Sequence, residues 1–249
     1  MKRVQFENHG SVMLNFISDK AKSGQYNMEK DISLFQEIES GKNSVFFRVF
    51  SWKTPTISLG YSQAIEKELH VDKCRKNGVE IVKRPTGGGM VFHNIHEISY
   101  SIIAPIDIFP KGLTNSYIFI SEIIVKSLQD LGVLAEIVNK NPIRLRQPDL
   151  PVFEIDRNLA KFCFLYPNEH EIMVNGKKIV GSAQKRGKNA LLQQGSIFIA
   201  ENNQIFNDCI QDQDLLSYFK EASISINQVL GRLVSLEEIY ASIQRSAAL

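Results

Sequence analysis

The sequence predicts an α/β protein that folds as one continuous domain. Segments with helical spacing of apolar residues alternate with short runs of β-branched and aromatic residues along the chain. A length of 249 residues with 43% hydrophobic residues is sufficient for a full core. No repeat, low-complexity tract or linker rich in Pro, Gly or Ser divides the chain. We therefore expect residues 1–249 to form a single domain, with a short helical extension over about residues 211–249.

Helices are predicted where apolar residues recur three or four positions apart and a glycine follows. This pattern is present at residues 27–40, about 67–77 and 117–131, which are followed by Gly41, Gly78 and Gly132. The C-terminal segment is also predicted to be helical. Its last helix is expected to begin after Ser235, because Glu238 three residues later completes a capping box.

Strands are predicted where β-branched and aromatic residues cluster between turn residues. They cover residues 45–50, 56–59, 79–82, 97–104 and 190–199. Within 97–104 apolar residues alternate with Ser99 and Ser101, so we expect one face of this strand to be buried. A hairpin is predicted between Glu171–Val174 and a strand that begins at Lys177, because Asn175-Gly176 favours a type I′ turn.

Composition and charge exclude several classes of function. The 29 basic and 27 acidic residues nearly cancel, so the chain has no overall field to hold nucleic acid. No run of about eighteen apolar residues is present to span a membrane, and the N-terminal residues lack the apolar stretch of a signal peptide. We therefore expect a cytoplasmic protein with neither a nucleic-acid nor a membrane partner.

Charge is nevertheless concentrated at one place in the predicted hairpin region. Five basic residues fall within twelve positions: Lys177, Lys178, Lys185, Arg186 and Lys188. This cluster either guides an acidic partner protein or acidic cofactor toward a site, or forms the solvated edge of the hairpin.

Cys163 is the candidate nucleophile. It stands fifteen residues before Lys178 and is joined to it by the predicted hairpin, and a cation beside a thiol stabilises the thiolate. The alternative is an ordinary buried thiol, because phenylalanine flanks Cys163 on both sides. Cys74 and Cys209 are predicted to be structural. Since the three cysteines are widely spaced and form no CxxC pair, neither a disulfide framework nor a bound metal is expected.

A run of three glycines follows a predicted strand, in the segment Arg84-Pro85-Thr86-Gly87-Gly88-Gly89-Met90-Val91-Phe92-His93. Without side chains, the backbone N–H groups there can approach a carboxylate, a phosphate or a developing oxyanion. The run matches neither a Walker loop nor a dinucleotide fingerprint. A tight turn is the alternative, but one glycine suffices for a turn, so we favour a ligand role.

These motifs carry a family resemblance. The glycine segment, together with Gly176-Lys177-Lys178-Ile179-Val180-Gly181-Ser182-Ala183-Gln184, resembles the biotin/lipoate protein ligase superfamily, in the branch that handles lipoate and octanoate. Supporting segments extend over nearly the whole chain. The resemblance implies a mixed, curved β-sheet with flanking helices around an acyl-binding tunnel, the catalytic domain of class II biotin/lipoate ligases.

The resemblance also implies an activity, the transfer of an octanoyl or lipoyl group in protein lipoylation. In the similar octanoyltransferases a cysteine before the hairpin accepts the acyl group from acyl carrier protein as a thioester. It then passes that group to a lysine of a lipoyl domain, such as that of the glycine cleavage H protein. Cys163 occupies the matching place, and Lys178 matches the lysine that contacts the thioester carbonyl. No cofactor is implied, because a thioester is already activated.

Further residues are implied as substrate-binding. They are Arg84, Thr86, Gly87, Gly88, Gly89, His93, Gly181, Ser182 and Ala183. We interpret His93 as a residue that shapes the pocket rather than as the base of the reaction.

Two alternatives stay open. Gly89 and Phe92 are typical of ligases, and Asn94 and Gln194 replace an acid and a histidine that are common at these positions. An ATP-dependent lipoate–protein ligase that uses ATP and Mg²⁺, single or split between two subunits, is therefore one competitor. The chain ends before the separate C-terminal domain of single-chain ligases, which favours the transferase. The other competitor is a non-catalytic protein that binds acyl chains or lipoyl domains.

Overall fold

The computed structural model describes residues 2–6, 10–65, 69–138, 170–200, 204–211 and 221–247. The strands are β1 (Lys2–Phe6), β2 (Gly10–Ser18), β3 (Ser44–Ser51), β4 (Thr56–Leu59), β5 (Glu80–Lys83), β6 (Val91–His93), β7 (Ile98–Pro105), β8 (Glu136–Val138), β9 (Glu171–Val174), β10 (Lys177–Arg186) and β11 (Ala190–Ile197). The helices are α1 (Gly24–Glu39), α2 (Val71–Lys76), α3 (Leu113–Asp130), α4 (Ile226–Leu230) and α5 (Leu236–Ser246).

The strands form two mixed sheets. The larger has the order β1-β2-β3-β7-β11-β10-β9-β8, in which β2 and β3 are parallel and the other neighbours are antiparallel. The smaller has the order β5-β4-β6, with β4 parallel to β5 and antiparallel to β6. Helices α3 and α5 pack together over one face of the larger sheet, and α1 contacts β7 and β11. The predicted mixed sheet with flanking helices is confirmed.

Strand β7 corrects one expectation. Its sequence alternation predicts one buried face, but every residue from Ile98 to Ala104 is buried. The second face is covered because α1 packs on it, and its two serines have buried partners, Trp52 for Ser99 and a residue of α1 for Ser101. Ser101 Oγ, for example, donates a hydrogen bond of 2.7 Å to Asp31 Oδ1.

A buried arginine fastens α1 to the larger sheet. Arg48 in β3 is fully buried and donates to Asp31 Oδ1 at 2.9 Å and to Asp19 Oδ2 at 2.6 Å. Its Nη2 also donates to Asn27 Oδ1 at 2.6 Å. Because a guanidinium without water needs carboxylate and amide acceptors in a fixed arrangement, this network determines where α1 lies.

The local predictions hold with three differences in helix bounds, the first being that the helix predicted at 27–40 already begins at Gly24. The hairpin turn has positive φ at both Asn175 (50°) and Gly176 (71°), as a type I′ turn requires. The capping box of Ser235 and Glu238 is present. Within the helix predicted at about 67–77, the structure describes α2 from Val71 to Lys76, whereas Leu69 forms a β-bridge with Ile210. The helix predicted from residue 117 already begins at Leu113.

The C-terminal helices pack on the rest of the fold. Helix α5 contacts α3, where Ser242 Oγ donates a hydrogen bond of 2.6 Å to the carbonyl of Ser127. Ile239 and Ile243 of α5 are buried in the main hydrophobic cluster. Across the described residues, no helix combines the length and apolar character needed to cross a membrane.

Candidate active site

A pocket opens between α1, the smaller sheet and the central strands of the larger sheet. Its empty volume is about 360 Å³, part of which is open to solvent. The lining residues are Met28, Phe50, Trp52, Ser58, Arg84, Val91, His93, Ser99, Gly181, Ser182, Ala183, Gln194, Gly195 and Ser196. Five of the predicted substrate-binding residues therefore meet in one pocket, namely Arg84, His93, Gly181, Ser182 and Ala183.

One part of the pocket wall is apolar. Met28 comes from α1, Val91 from β6, and Phe50 and Trp52 from β3 and the residue beyond it, with 5.7 Å between the two ring centroids. These four side chains are buried. Such a wall suits a hydrocarbon chain, since each buried CH₂ group contributes about 0.8 kcal/mol.

Arg84 holds the glycine segment in place by hydrogen bonds to its backbone. Its Nη2 donates to the carbonyl oxygens of Gly87 and Gly89, both at 2.6 Å, and its Nη1 donates to the carbonyl of Ser58 at 3.0 Å. The guanidinium therefore folds the segment around itself while also lining the pocket. The three glycines lie outside the described lining of the pocket, so their predicted contact with ligand stays a prediction.

Thr86 does not line the pocket but forms a hydrogen bond with Gln194, which does. Thr86 Oγ1 donates a hydrogen bond of 2.9 Å to Gln194 Oε1, and Gln194 Nε2 donates one of 2.7 Å to Asp31 Oδ2. Burial raises the pKa of Asp31, although the positive charge of Arg48 opposes this shift. The sequence marks Gln194 only as a departure from a histidine, whereas the structure places it in the pocket wall between the glycine segment and α1.

His93 is fixed on three sides. Its ring stacks on Trp52 with 3.9 Å between centroids and 13° between planes. Its Nε2 lies 2.8 Å from Ser58 Oγ, and its Nδ1 lies 3.4 Å from Glu97 Oε1. Burial lowers the pKa of His93. A neutral imidazole thus forms part of the pocket wall, and sequence spacing gives no indication of its partner Ser58, which comes from another strand.

Strand β10 supplies the opposite wall. Ser182 Oγ is 2.8 Å from the hydroxyl of Tyr100, which also accepts a hydrogen bond of 3.2 Å from Gln193 Nε2. Burial raises the pKa of Tyr100 to about 12. Gly195 on β11 makes room for this ring, because a Cβ there would lie 2.3 Å from Tyr100 Cε1.

Lys178 lies on the same strand, three residues before Gly181. Only 1% of its side chain is exposed, and its Nζ lies 2.8 Å from Glu171 Oε1, on a side chain that is 3% exposed. Lys178 is therefore a buried, ion-paired lysine and not an exposed strand lysine. It lies outside the described lining of the pocket. Cys163 lies outside the described residues, so the contact between its thiol and Lys178 stays a prediction.

The other two cysteines are structural, as predicted. Cys74 and Cys209 are fully buried, in one apolar cluster. Burial raises the pKa of Cys74 to about 12 and also raises the pKa of Cys209. Thiols in this state carry little thiolate at neutral pH and are poor nucleophiles.

The fold and the pocket together define an α/β protein with a partly apolar pocket between its two mixed sheets. The sequence profile of the lipoyl protein ligase A/B catalytic domain matches residues 23–248. The chain belongs to this family, which confirms the resemblance seen in the motifs.

Named relatives and solved structures agree with this assignment. The chain is 32% identical over 226 residues to octanoyltransferase LipM of Geobacillus kaustophilus, covering 86% of this chain and 77% of the relative. It is 30% identical over 243 residues to octanoyltransferase LipM of Staphylococcus aureus, covering 93% and 84%.

Two solved structures show the shared fold. A lipoate-protein ligase A bound with ATP has a TM-score of 0.70 at 21% identity, covering 94% of this chain and 83% of that structure. The bi-partite lipoate protein ligase from Thermoplasma acidophilum has a TM-score of 0.70 at 18% identity, covering 94% and 82%. The predicted fold class is confirmed.

Proposed function

We propose that this protein transfers an octanoyl group from the thioester of an acyl carrier protein to a lysine of a lipoyl domain. Relatives named octanoyltransferase LipM, at 30–35% identity over most of the chain, confirm the predicted enzyme class, an acyltransferase of protein lipoylation. The geometric observation that carries the proposal is the pocket with an apolar wall that is also lined by Gly181–Ala183, on the same strand as the buried Lys178.

The proposed nucleophile is Cys163. Its thiolate attacks the donor carbonyl, the donor's C–S bond breaks, and the carrier thiolate leaves and takes up a proton. The octanoyl group is then held as a thioester on Cys163. The ε-amine of the acceptor lysine attacks that thioester, an amide forms, and the thiol of Cys163 is restored. Because thioester is exchanged for thioester in the first half, the reaction needs no ATP.

Lys178 and the backbone of β10 provide the electrostatics of the proposal. The Lys178 ammonium stabilises the Cys163 thiolate and then orients the thioester carbonyl. Backbone N–H groups of Gly181–Ala183 receive the oxyanion of the tetrahedral intermediate. Among the described residues the ladder with β9 ends at Val180, and Gly181–Ala183 pair with β11 on their other side, so the proposed donors are the N–H groups that face away from β11.

The proposal extends to the cellular setting. A nucleophilic cysteine has to stay reduced, so we place the protein in the cytoplasm, where thiols persist. We propose that residues 1–249 act as a single catalytic domain with the C-terminal helices packed on it.

The glycine cleavage H protein is the proposed lipoyl-domain acceptor.

Intact-protein mass spectrometry after mixing with octanoyl acyl carrier protein tests the proposal. The expected result is a mass increase of one octanoyl group that maps to Cys163 and disappears when H protein is added. Cys163→Ala should abolish both steps. Loading of H protein from free octanoate or lipoate and ATP that survives Cys163→Ala would establish a ligase instead. Binding without any acylated product would establish a non-catalytic protein.

A further inference from the structure

Three buried side chains next to the pocket have the arrangement of a nucleophile, a base and an acid. Ser58 Oγ on β4 lies 2.8 Å from His93 Nε2 on β6. On the other side of the ring, His93 Nδ1 lies 3.4 Å from Glu97 Oε1. A serine hydroxyl, an imidazole and a carboxylate in this order are the parts of a serine hydrolase site, which is recognised by geometry and not by fold.

The carboxylate fixes which nitrogen of His93 carries the proton. Nδ1 lies 3.4 Å from both Glu97 Oε1 and Ser196 Oγ, so we assign the N–H to that side, which leaves Nε2 to accept the hydrogen bond from Ser58 Oγ. Glu97 is 1% exposed and accepts a short hydrogen bond from Ser196 Oγ. Within the described part of the chain, no donor contacts its second oxygen, Oε2. The negative charge of the buried Glu97 carboxylate stabilises the imidazolium that His93 becomes after it accepts a proton.

The imidazole of His93 is fixed in orientation and is neutral, so it can accept a proton. Trp52 stacks on His93 with 3.9 Å between centroids, which restrains rotation of the imidazole. Because burial lowers the pKa of His93, the ring is neutral at physiological pH. Nε2 is therefore available to act as a base.

The serine faces the acyl site. Ser58 and His93 both line the pocket, next to the apolar side chains of Phe50 and Val91. Arg84 Nη1 is 3.4 Å from Ser58 Oγ, so a positive charge lies beside the hydroxyl that would lose its proton. This chemistry fits an acyl ester or thioester with a medium-length hydrocarbon chain.

We propose that Ser58 is a second nucleophile of this pocket and that the protein hydrolyses medium-chain acyl esters and thioesters. Ser58 Oγ attacks the acyl carbonyl as its proton moves to His93 Nε2. The C–S or C–O bond of the substrate breaks, and the leaving group takes the proton from His93. Water, deprotonated by His93, then cleaves the acyl ester on Ser58, which releases the carboxylic acid and restores the serine hydroxyl.

This activity goes beyond the proposed transfer and uses neither Cys163 nor an acceptor lysine. It would release the acyl group as a free acid when no lipoyl domain is present. The two activities separate in one variant, because Cys163→Ala removes the transfer and leaves Ser58, His93 and Glu97 in place. An experiment on this variant can therefore reject the hydrolase proposal without affecting the transferase proposal, and the reverse also holds.

Labelling with an alkyl fluorophosphonate tests the nucleophile directly. The full chain carrying Cys163→Ala is incubated with the probe and digested, and the modified peptide is identified by mass spectrometry. We expect the label on Ser58 and its loss in Ser58→Ala, whereas Ser127→Ala, which removes a buried hydroxyl on α3 remote from the pocket, keeps it. No label on Ser58, under conditions that label an established serine hydrolase, would overturn the proposal.

Hydrolysis of p-nitrophenyl octanoate tests the base. In the Cys163→Ala background, Ser58→Ala and His93→Gln should each lower the rate by roughly 10²-fold, the scale of general-base catalysis. Circular dichroism of each variant establishes that it is folded. Equal hydrolysis in Ser58→Ala and its parent would reject the assignment. If Ser58→Ala does not fold, the mapped label on the parent protein decides the question.

Discussion

Lys178 and Glu171 form a buried ion pair with 2.8 Å between Nζ and Oε1, across the hairpin of β9 and β10. Both side chains are almost fully shielded from water, at 1% and 3% exposure. A buried ammonium keeps its charge when a carboxylate compensates the lost hydration. Glu171 therefore acts as a positioning residue, because it holds the cation on which the proposed thiolate chemistry depends.

Removal of Glu171 should destabilise the protein strongly. Glu171→Gln takes away the carboxylate partner of Lys178, and breaking a buried pair costs about 3 kcal/mol or more. We expect a corresponding drop in the free energy of unfolding, measured by urea denaturation. In a double-mutant cycle, adding Lys178→Met should recover part of the loss, and strictly additive effects would show that the pair contributes nothing.

Lys178 should control the reactivity of one cysteine. Lys178→Met is expected to slow alkylation of Cys163 by iodoacetamide at pH 7 roughly tenfold, the effect of one unit in the pKa of the thiol. Lys177→Met at the half-buried neighbouring position serves as the matched control. Cys74 and Cys209 should stay unmodified in the folded protein, because they are buried and their pKa values are raised. Peptide mass spectrometry measures all three sites, and equal alkylation of Cys163 in both lysine variants would contradict the proposed contact.

Gly195→Ala should disturb the wall formed by β10 and β11. The added Cβ would lie 2.3 Å from the Tyr100 ring, and overpacking of this kind costs about 1–3 kcal/mol. Gly87→Ala is the matched control for stability, since a Cβ there meets nothing within 4 Å, and we expect a change below about 0.5 kcal/mol. Thermal unfolding of the two variants distinguishes them. A similar melting temperature for both would mean that Tyr100 moves aside freely.

Asp31 should make stability depend on pH. The pKa of Asp31 is raised in the folded protein above the ordinary value of 3.8. At a pH between 3.8 and the raised pKa of the folded protein, the native state therefore binds more protons than the unfolded state. The contribution of Asp31 to the free energy of unfolding therefore decreases as pH rises through that window. Asp31→Asn should remove this decrease. Urea denaturation between pH 4 and 7, compared for the two proteins, measures it, and parallel pH profiles would contradict the expectation.

The parts of the fold that depend on local spacing were predictable from the sequence. Asn175-Gly176 fixed the hairpin turn, and Ser235 with Glu238 marked the start of the last helix, because both signals act over two to four residues. The buried second face of β7 was not predictable, since the partner of Ser101 is a carboxylate 70 positions away on α1.

The same distinction applies to the site. Three adjacent glycines and the lysine strand were visible as motifs, and the structure brings Arg84 and Gly181–Ala183 to one pocket. Gln194 was visible only as an unusual residue, because its role depends on Thr86, 108 positions away. The pairing of Ser58 with His93 is set by the register of β4 and β6, which sequence spacing does not reveal.

One carboxylate on α1 forms hydrogen bonds with side chains from three strands of the larger sheet. Asp31 accepts hydrogen bonds from Arg48 on β3, Ser101 on β7 and Gln194 on β11. Met28, one helical turn earlier, forms part of the apolar wall of the pocket. Redesign of the proposed acyl specificity is therefore best begun in this helix, because it both contributes Met28 to the pocket wall and is fixed to three strands through Asp31.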